Sequence, residues 1–165
     1  MKKQTNSNFN VALCGVMAAL AISLGYLEYL IPFSVGIYGI KLGLANLAIL
    51  SLLYLSDTKS ALAVHLIRIL ICGMLFGNTV AFLYSAVGGI VSFAVMATLK
   101  KSEKFSPIGI SIVGGVTHNI AQMAVAVVLV DNLKIAFYLP VLLIAGTVAG
   151  ALVGVLTQAI VKKLR

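Results

Sequence analysis

The sequence predicts an all-α integral membrane protein with about six transmembrane helices and both termini in the cytoplasm. Apolar residues make up 61% of the 165 positions and charged residues only 10%, whereas soluble domains are about a quarter charged. Mean hydropathy is +1.12. Short polar stretches separate apolar runs of about 20 residues, the length that a spanning helix needs. This length leaves little chain for anything else, so we expect a single transmembrane domain over residues 1–165.

The positions of the polar stretches define the predicted spans. Pro32, SDTK at 56–59, KKSEK at 100–104 and DNLK at 131–134 interrupt the apolar runs. A proline is tolerated in the first turn of a helix, so the fifth span is expected to begin near Pro107. The six predicted spans are residues 9–31, 36–55, 60–77, 79–99, 107–130 and 135–161.

The net charge of +8 is distributed as in a membrane protein rather than a nucleic-acid-binding protein. Basic residues lie at the ends of the spans, which predicts no nucleic-acid partner and a lipid bilayer around the chain. With six spans, one side of the membrane holds only Lys134. The side with both termini holds Lys2, Lys3, Lys59, Lys100, Lys101, Lys104, Lys162, Lys163 and Arg165. Because basic residues stay inside, this asymmetry predicts cytoplasmic termini.

Three charged residues fall within the predicted spans: Glu28, Lys41 and Arg68. A charge near the bilayer centre costs at least about 2.5–3.5 kcal/mol, so a retained charge is a candidate for function. Lys41 could instead extend to the interface, Glu28 could be interfacial, and Arg68 could pair with helix carbonyls or with Glu28. Two cations and one carboxylate leave a positive charge for an anionic ligand, and arginine is well suited to phosphate or carboxylate.

The fifth span carries three polar side chains, His118, Asn119 and Gln122. Their spacing places His118 and Gln122 on one helix face, with Asn119 next to Gln122. Such groups can join helices, but three in mid-span favour a polar cavity. Weaker candidates for the same site are Asn46, Asn78 and Tyr84, and Asn78 could instead cap a helix.

Small residues recur every fourth position on two of the helices, a spacing that allows close helix packing. On the first helix they are Gly15, Ala19 and Ser23, and spacing alone leaves docking of a partner protein and internal packing equally open. On the last helix they are Gly146, Gly150 and Gly154, where packing within the chain is favoured.

The residues needed for several kinds of catalysis are missing from the sequence. Diphosphate enzymes hold magnesium with clustered aspartates, but the two aspartates, Asp57 and Asp131, lie in opposite loops. There is no nucleotide-binding lysine motif, and Cys14 and Cys72 form no metal-binding pair. We therefore predict a protein that is not an enzyme and has no catalytic residues, cofactor or metal.

Four segments together resemble a bacterial membrane family named heptaprenyl diphosphate synthase component I, or Gx transporter. They are KLGLAN (41–46), LIRILICGMLFGN (66–78), YSAVGG (84–89) and IGISIVGGVTHNIAQ (108–122). The resemblance covers nearly the whole chain. That family looks related to the substrate-binding S components of energy-coupling factor (ECF) transporters, which are bundles of six helices.

The resemblance implies a multi-pass protein of the bacterial cytoplasmic membrane that binds a solute for uptake. The partners would be an ECF transmembrane coupling subunit and two ATPase subunits. Gly15, Ala19 and Ser23 would then form the docking surface, although the family's alanine-x-x-x-alanine is here Gly15-x-x-x-Ala19. The expected solute is a small anionic precursor related to isoprenoids or quinones. Lys41 and Arg68 would hold its anionic group, and the polar residues of the fifth span would hold its polar part.

A different class of function is also compatible with the sequence. The chain could be a non-transporting membrane subunit that is accessory to isoprenoid or heptaprenyl diphosphate synthesis. It could likewise belong to a quinone-linked electron-transfer chain.

Overall fold

The computed structural model describes residues 7–30, 43–76 and 79–164. Over these ranges the chain forms six α-helices and a short 3-10 helix, with no strand. The α-helices are α1 (Ser7–Leu30), α2 (Leu44–Leu55), α3 (Thr58–Phe76), α4 (Thr79–Lys101), α5 (Pro107–Val130) and α6 (Leu139–Leu164). The 3-10 helix, Leu133–Tyr138, lies between α5 and α6.

The lengths and composition of these helices confirm the predicted all-α membrane bundle. Within the described ranges, five helices are long and apolar enough to cross a membrane, and α2 is the shorter apolar helix. The long helices expose many large apolar side chains, such as Leu75, Val128 and Ile144. In a membrane these exposed apolar side chains would contact the hydrocarbon of the lipids rather than water.

Packing between the helices forms a closed bundle. Helix α1 packs on α3, α3 on α4, α4 on α5, α5 on α6, and α6 on α2, which returns to α1. Helix α2 also contacts α3, and it is buried without interruption from Ala48 to Leu53. Its side chains form the centre of the core, so α2 packs inside the bundle along much of its length.

The start of α2 differs from the predicted second span. The span was expected as one helix over residues 36–55, but α2 begins only at Leu44, and residues 36–42 lie outside the described ranges. Gly43 precedes it with a φ of 71°. This left-handed conformation is accessible to glycine and ends any right-handed helix that reaches it. Hydropathy does not report such a break, because glycine is common in membrane helices.

The starts of α5 and α6 can also be compared with the predicted spans. The predicted start near Pro107 is confirmed, because α5 begins there and the Ser106 Oγ accepts a hydrogen bond from the Gly109 amide at 3.2 Å. The last span was predicted from residue 135, but a 3-10 helix occupies 133–138 and α6 begins at Leu139. Pro140 suits this start, because the first turn of a helix has no partner for its amide groups.

The end of the bundle with the lysine-rich loop is held by side-chain caps. The Lys100 ammonium donates to the Leu53 carbonyl near the C-terminus of α2, where a positive charge is favourable. Asp57 caps α3, accepting from the Ser60 hydroxyl at 2.6 Å and from the Ser60 amide at 3.0 Å. These hydrogen bonds lower the pKa of the Asp57 carboxyl below its ordinary value.

Glycines allow unusually close packing between α5 and α6. A Cβ added to Gly146 would lie 2.9 Å from the Gly115 carbonyl oxygen, and one added to Gly150 would lie 2.8 Å from the Cα of Ile112. One added to Gly154 would lie 2.6 Å from the Cα of Ile108. The prediction that the last-helix stripe packs within the chain is confirmed.

We expect Gly150→Ala to destabilise the protein, because its added methyl group would meet backbone atoms of α5 that cannot rotate away. Overpacking of this kind costs typically about 1–3 kcal/mol. The matched control is Gly15→Ala, since no atom of the described residues lies within 4 Å of a Cβ added there. Thermal unfolding in detergent should show a lower Tm for Gly150→Ala alone. Equal Tm values for the two variants would contradict the close α5–α6 contact.

The orientation in the membrane stays a prediction that two exposed positions can test. Ser102 and Asn132 are exposed in the turns that flank opposite ends of α5. In a background without Cys14 and Cys72, a cysteine at Ser102 should be protected from an impermeant reagent in intact cells. A cysteine at Asn132 should react. Equal reactivity would place both positions on the same side of the membrane, which would contradict a single crossing by α5 between them.

Candidate functional site

A cavity lies inside the bundle, and all six α-helices contribute to its wall. The space open to the centres of water-sized molecules is about 70 Å³, which is room for several waters or a small solute. Its wall includes four glycines of α5 and α6. The polar side chains on the wall are those of Glu28, Asn46, Arg68, Ser85, Ser111, His118 and Asn119.

The cavity extends from one end of the bundle into its interior. Glu28 and Gly43 line it where α1 ends and α2 begins. Met96 lines it near the C-terminus of α4, and Ser111 lines it near the N-terminus of α5. In the predicted orientation, the end with Glu28 is the outer side of the membrane.

Arg68 is the cation that the described ranges place on the cavity wall, and it lies near the middle of α3. Its Nε is shielded from solvent and has no hydrogen-bond partner among the described residues. Glu28 is close enough to act on it electrostatically, yet no ion pair joins them in the described part of the chain. Arg68 therefore faces the cavity with hydrogen-bonding capacity to spare, because a guanidinium has five N–H donors.

Glu28 is anchored by the backbone. Its Oε1 accepts a hydrogen bond from the Gly43 amide at 2.5 Å, which connects the end of α1 to the start of α2. The amide is available because Gly43 precedes the first turn of α2, where amide groups lack helical partners. A carboxylate is also favourable near a helix N-terminus. Glu28 is thus a fixed part of the wall.

The polar residues predicted on α5 separate into two groups. His118 and Asn119 line the cavity, whereas Gln122 is buried but does not line it. The Asn119 Nδ2 donates to the Leu142 carbonyl of α6 at 2.5 Å, so this amide joins two helices as well as facing the cavity. Asn119 therefore joins two helices and also lines the cavity, while ligand binding by these residues stays a prediction.

The remaining predicted residues have different positions. Asn46 lines the cavity from the first turn of α2. Tyr84 is half-buried on α4 and is not part of the wall, but its neighbour Ser85 is. Lys41 and Asn78 lie outside the described residues.

Sequence reasoning missed the arrangement of two histidines around adjacent glycines of α4. The His118 ring lies against Gly88, with Cε1 2.9 Å from an added Cβ, and the His65 ring lies against Gly89, with Nε2 also at 2.9 Å. His65 is 1% exposed and stacks on Phe93 with ring centroids 5.4 Å apart. The signal available in the sequence was the Gly-Gly pair inside an apolar helix, which indicates close approach of other groups.

The stripe of small residues on α1 faces away from the bundle. Gly15, Ala19 and Ser23 are exposed, whereas Met17 and Ala21 on the other face of α1 are 7% and 0% exposed. Nothing described lies within 4 Å of a Cβ added to Gly15. Docking of a partner on this stripe stays a prediction, but the stripe does not serve packing among the described helices.

Comparison with known proteins gives one match. A family model described as heptaprenyl diphosphate synthase component I matches residues 17–160. Neither the curated proteins nor the solved structures gave a match.

Proposed function

This chain belongs to the heptaprenyl diphosphate synthase component I family, and we propose that it is the substrate-binding subunit of an ECF-type importer in the bacterial cytoplasmic membrane. Its substrate would be a small anionic precursor related to isoprenoids or quinones, and the family description supports the link to isoprenoids. The subunit would bind the solute and would not catalyse a reaction. The energy for uptake would come from partner ATPases.

The observation that carries this proposal is the position of Arg68. It lines a cavity inside a membrane bundle, and no ion pair neutralises it among the described residues. A charge held at that depth is costly, and a buried cation is usually paired. A phosphate or carboxylate from outside would satisfy the guanidinium with two parallel hydrogen bonds.

The size of the cavity supports a small solute. The cavity volume open to the centres of water molecules is about 70 Å³, which is too small to enclose a long prenyl chain. Asn46, Ser85, His118 and Asn119 add polar groups on the same wall, which would bind the polar part of a small molecule. Lys41 remains part of the proposed anion site.

The exposed stripe on α1 supports a partner in the membrane. Small residues let two helices approach closely, and the resulting packing contacts favour helix association in lipid. The stripe on α6 has that role inside this chain, and the α1 stripe has the same spacing with its face uncovered by described residues. We assign it to the ECF transmembrane coupling subunit, which would connect this chain to two ATPase subunits.

The family description itself favours a second candidate. A component of heptaprenyl diphosphate synthase would be an accessory membrane subunit of isoprenoid synthesis, with no transport role. An accessory subunit in quinone-linked electron transfer belongs to the same alternative class.

Co-purification separates the two candidates. The tagged chain would be extracted from native membranes in mild detergent, and its stoichiometric partners would be identified by mass spectrometry. Transport predicts one transmembrane coupling subunit and two ATPase subunits. A prenyl synthase or flavoprotein as the stoichiometric partner, without ATPases, would instead support the accessory role.

A further inference from the structure

The cavity wall carries two opposite charges that do not neutralise each other directly. Glu28 and Arg68 both line the cavity and interact electrostatically, but they form no ion pair within the described part of the chain. Two opposite charges in a low-dielectric site would ordinarily come together, because an uncompensated charge there is costly. Here each is held on a different helix, α1 and α3.

The backbone contact of Glu28 engages one oxygen of its carboxylate. The Gly43 amide occupies Oε1 at 2.5 Å, and Gly43 has the left-handed φ of 71° that starts α2 at this point. Oε2 has no hydrogen bond to a described residue. The Gly43 amide accounts for Oε1, and no described residue engages Oε2 of this cavity-lining carboxylate.

We propose that the site takes a small solute that carries both an anionic group and an ammonium group, with its phosphate or carboxylate on Arg68 and its ammonium on Glu28. This rests on the proposed function, because it deepens the assignment of the same cavity. Such a molecule satisfies both charged groups at once. A bidentate guanidinium contact fixes the anionic end, and a charge-assisted hydrogen bond to Oε2 fixes the other.

Glu28 also gives the site a means of rejecting other anions. A solute with an anionic group alone would occupy Arg68 while the Glu28 carboxylate repelled it across the cavity. Like charges in a water-poor site disfavour binding, and discrimination between ligands often depends on such a repulsive group. The preference for an ammonium-bearing anion should therefore disappear when the charge of Glu28 is removed.

Two probes of similar size test this assignment, O-phosphoethanolamine and ethyl phosphate, which differ by the ammonium group. Their dissociation constants would be measured on the purified full chain in detergent, from the concentration dependence of the Tm. The wild-type protein should bind O-phosphoethanolamine at least about tenfold more tightly. Glu28→Gln keeps an oxygen that can accept from the Gly43 amide, and it should bring the two constants to about the same value.

The outcomes distinguish this inference from the proposed function. If the wild-type protein binds both probes equally, and Arg68→Ala abolishes both, the ammonium assignment is wrong and the anion site stands. If the preference survives in Glu28→Gln, Glu28 is not the ammonium partner and the inference is also wrong. If neither probe raises the Tm, or if both bind equally well to Arg68→Ala, the anion site itself fails together with the inference.

Discussion

Arg68→Ala is expected to weaken binding of the solute at least about thirtyfold, or about 2 kcal/mol, because the buried anionic group would lose its partner. The solute can be recovered from the purified wild-type protein and its dissociation constant measured by equilibrium dialysis. Arg68→Lys should recover only part of the affinity, since an ammonium cannot reproduce the two parallel hydrogen bonds of a guanidinium.

The same substitution also predicts a result for the thermal stability of the protein without solute. Arg68 makes no hydrogen bond from Nε and no ion pair among the described residues, so the empty protein gains little from its charge. The Tm of the empty Arg68→Ala variant should therefore equal or exceed that of the wild type. A structural arginine predicts the reverse, with a lower Tm and unchanged affinity in the folded fraction. That combination would contradict the role of Arg68 in binding.

Gly15→Leu and Ala19→Leu are expected to abolish association with the coupling subunit while leaving this chain folded. A leucine at either position would force apart two helices that the small residues bring together. Both positions are exposed, and nothing described lies within 4 Å of a Cβ added to Gly15. Pull-down of the partner subunits measures association, and the Tm in detergent measures folding.

A matched control separates docking from a general effect of bulk in the membrane. Ala94 is exposed on α4, which does not pack extensively on α1. Ala94→Leu should therefore leave both the Tm and the pull-down unchanged. If Gly15→Leu and Ala19→Leu also assemble normally, the stripe faces lipid and the docking assignment is wrong.

The sequence was sufficient to predict the class of fold and most of the helices. Long apolar runs that end at charged turns leave few alternatives, because every backbone polar group in a bilayer must be satisfied within a helix. The start of α2 at Leu44 was not predictable in the same way. It depends on the conformation of Gly43 and on the contact of its amide with Glu28, a residue on another helix.

The candidate site was partly predictable for a related reason. Charged and polar residues in mid-span, such as Arg68, His118 and Asn119, have a high free-energy cost in lipid. Their presence in a sequence therefore indicates a functional or structural role. Whether such a residue faces a cavity depends on helix rotation and on neighbouring helices, which its own segment does not encode. Gln122 shares a face with His118 by spacing and yet does not line the cavity. Ser85 and Ser111 line it, although a serine in a membrane helix is too common to be a signal.

Native mass spectrometry of the wild-type chain and Arg68→Ala, purified in parallel from native membranes, would show directly whether the cavity binds a solute through Arg68. Wild-type protein should carry one small anion at high occupancy. Arg68→Ala, folded to the same extent, should carry none. A wild-type chain without any bound anion, or an anion retained equally by Arg68→Ala, would contradict the assignment of this cavity as a solute-binding site.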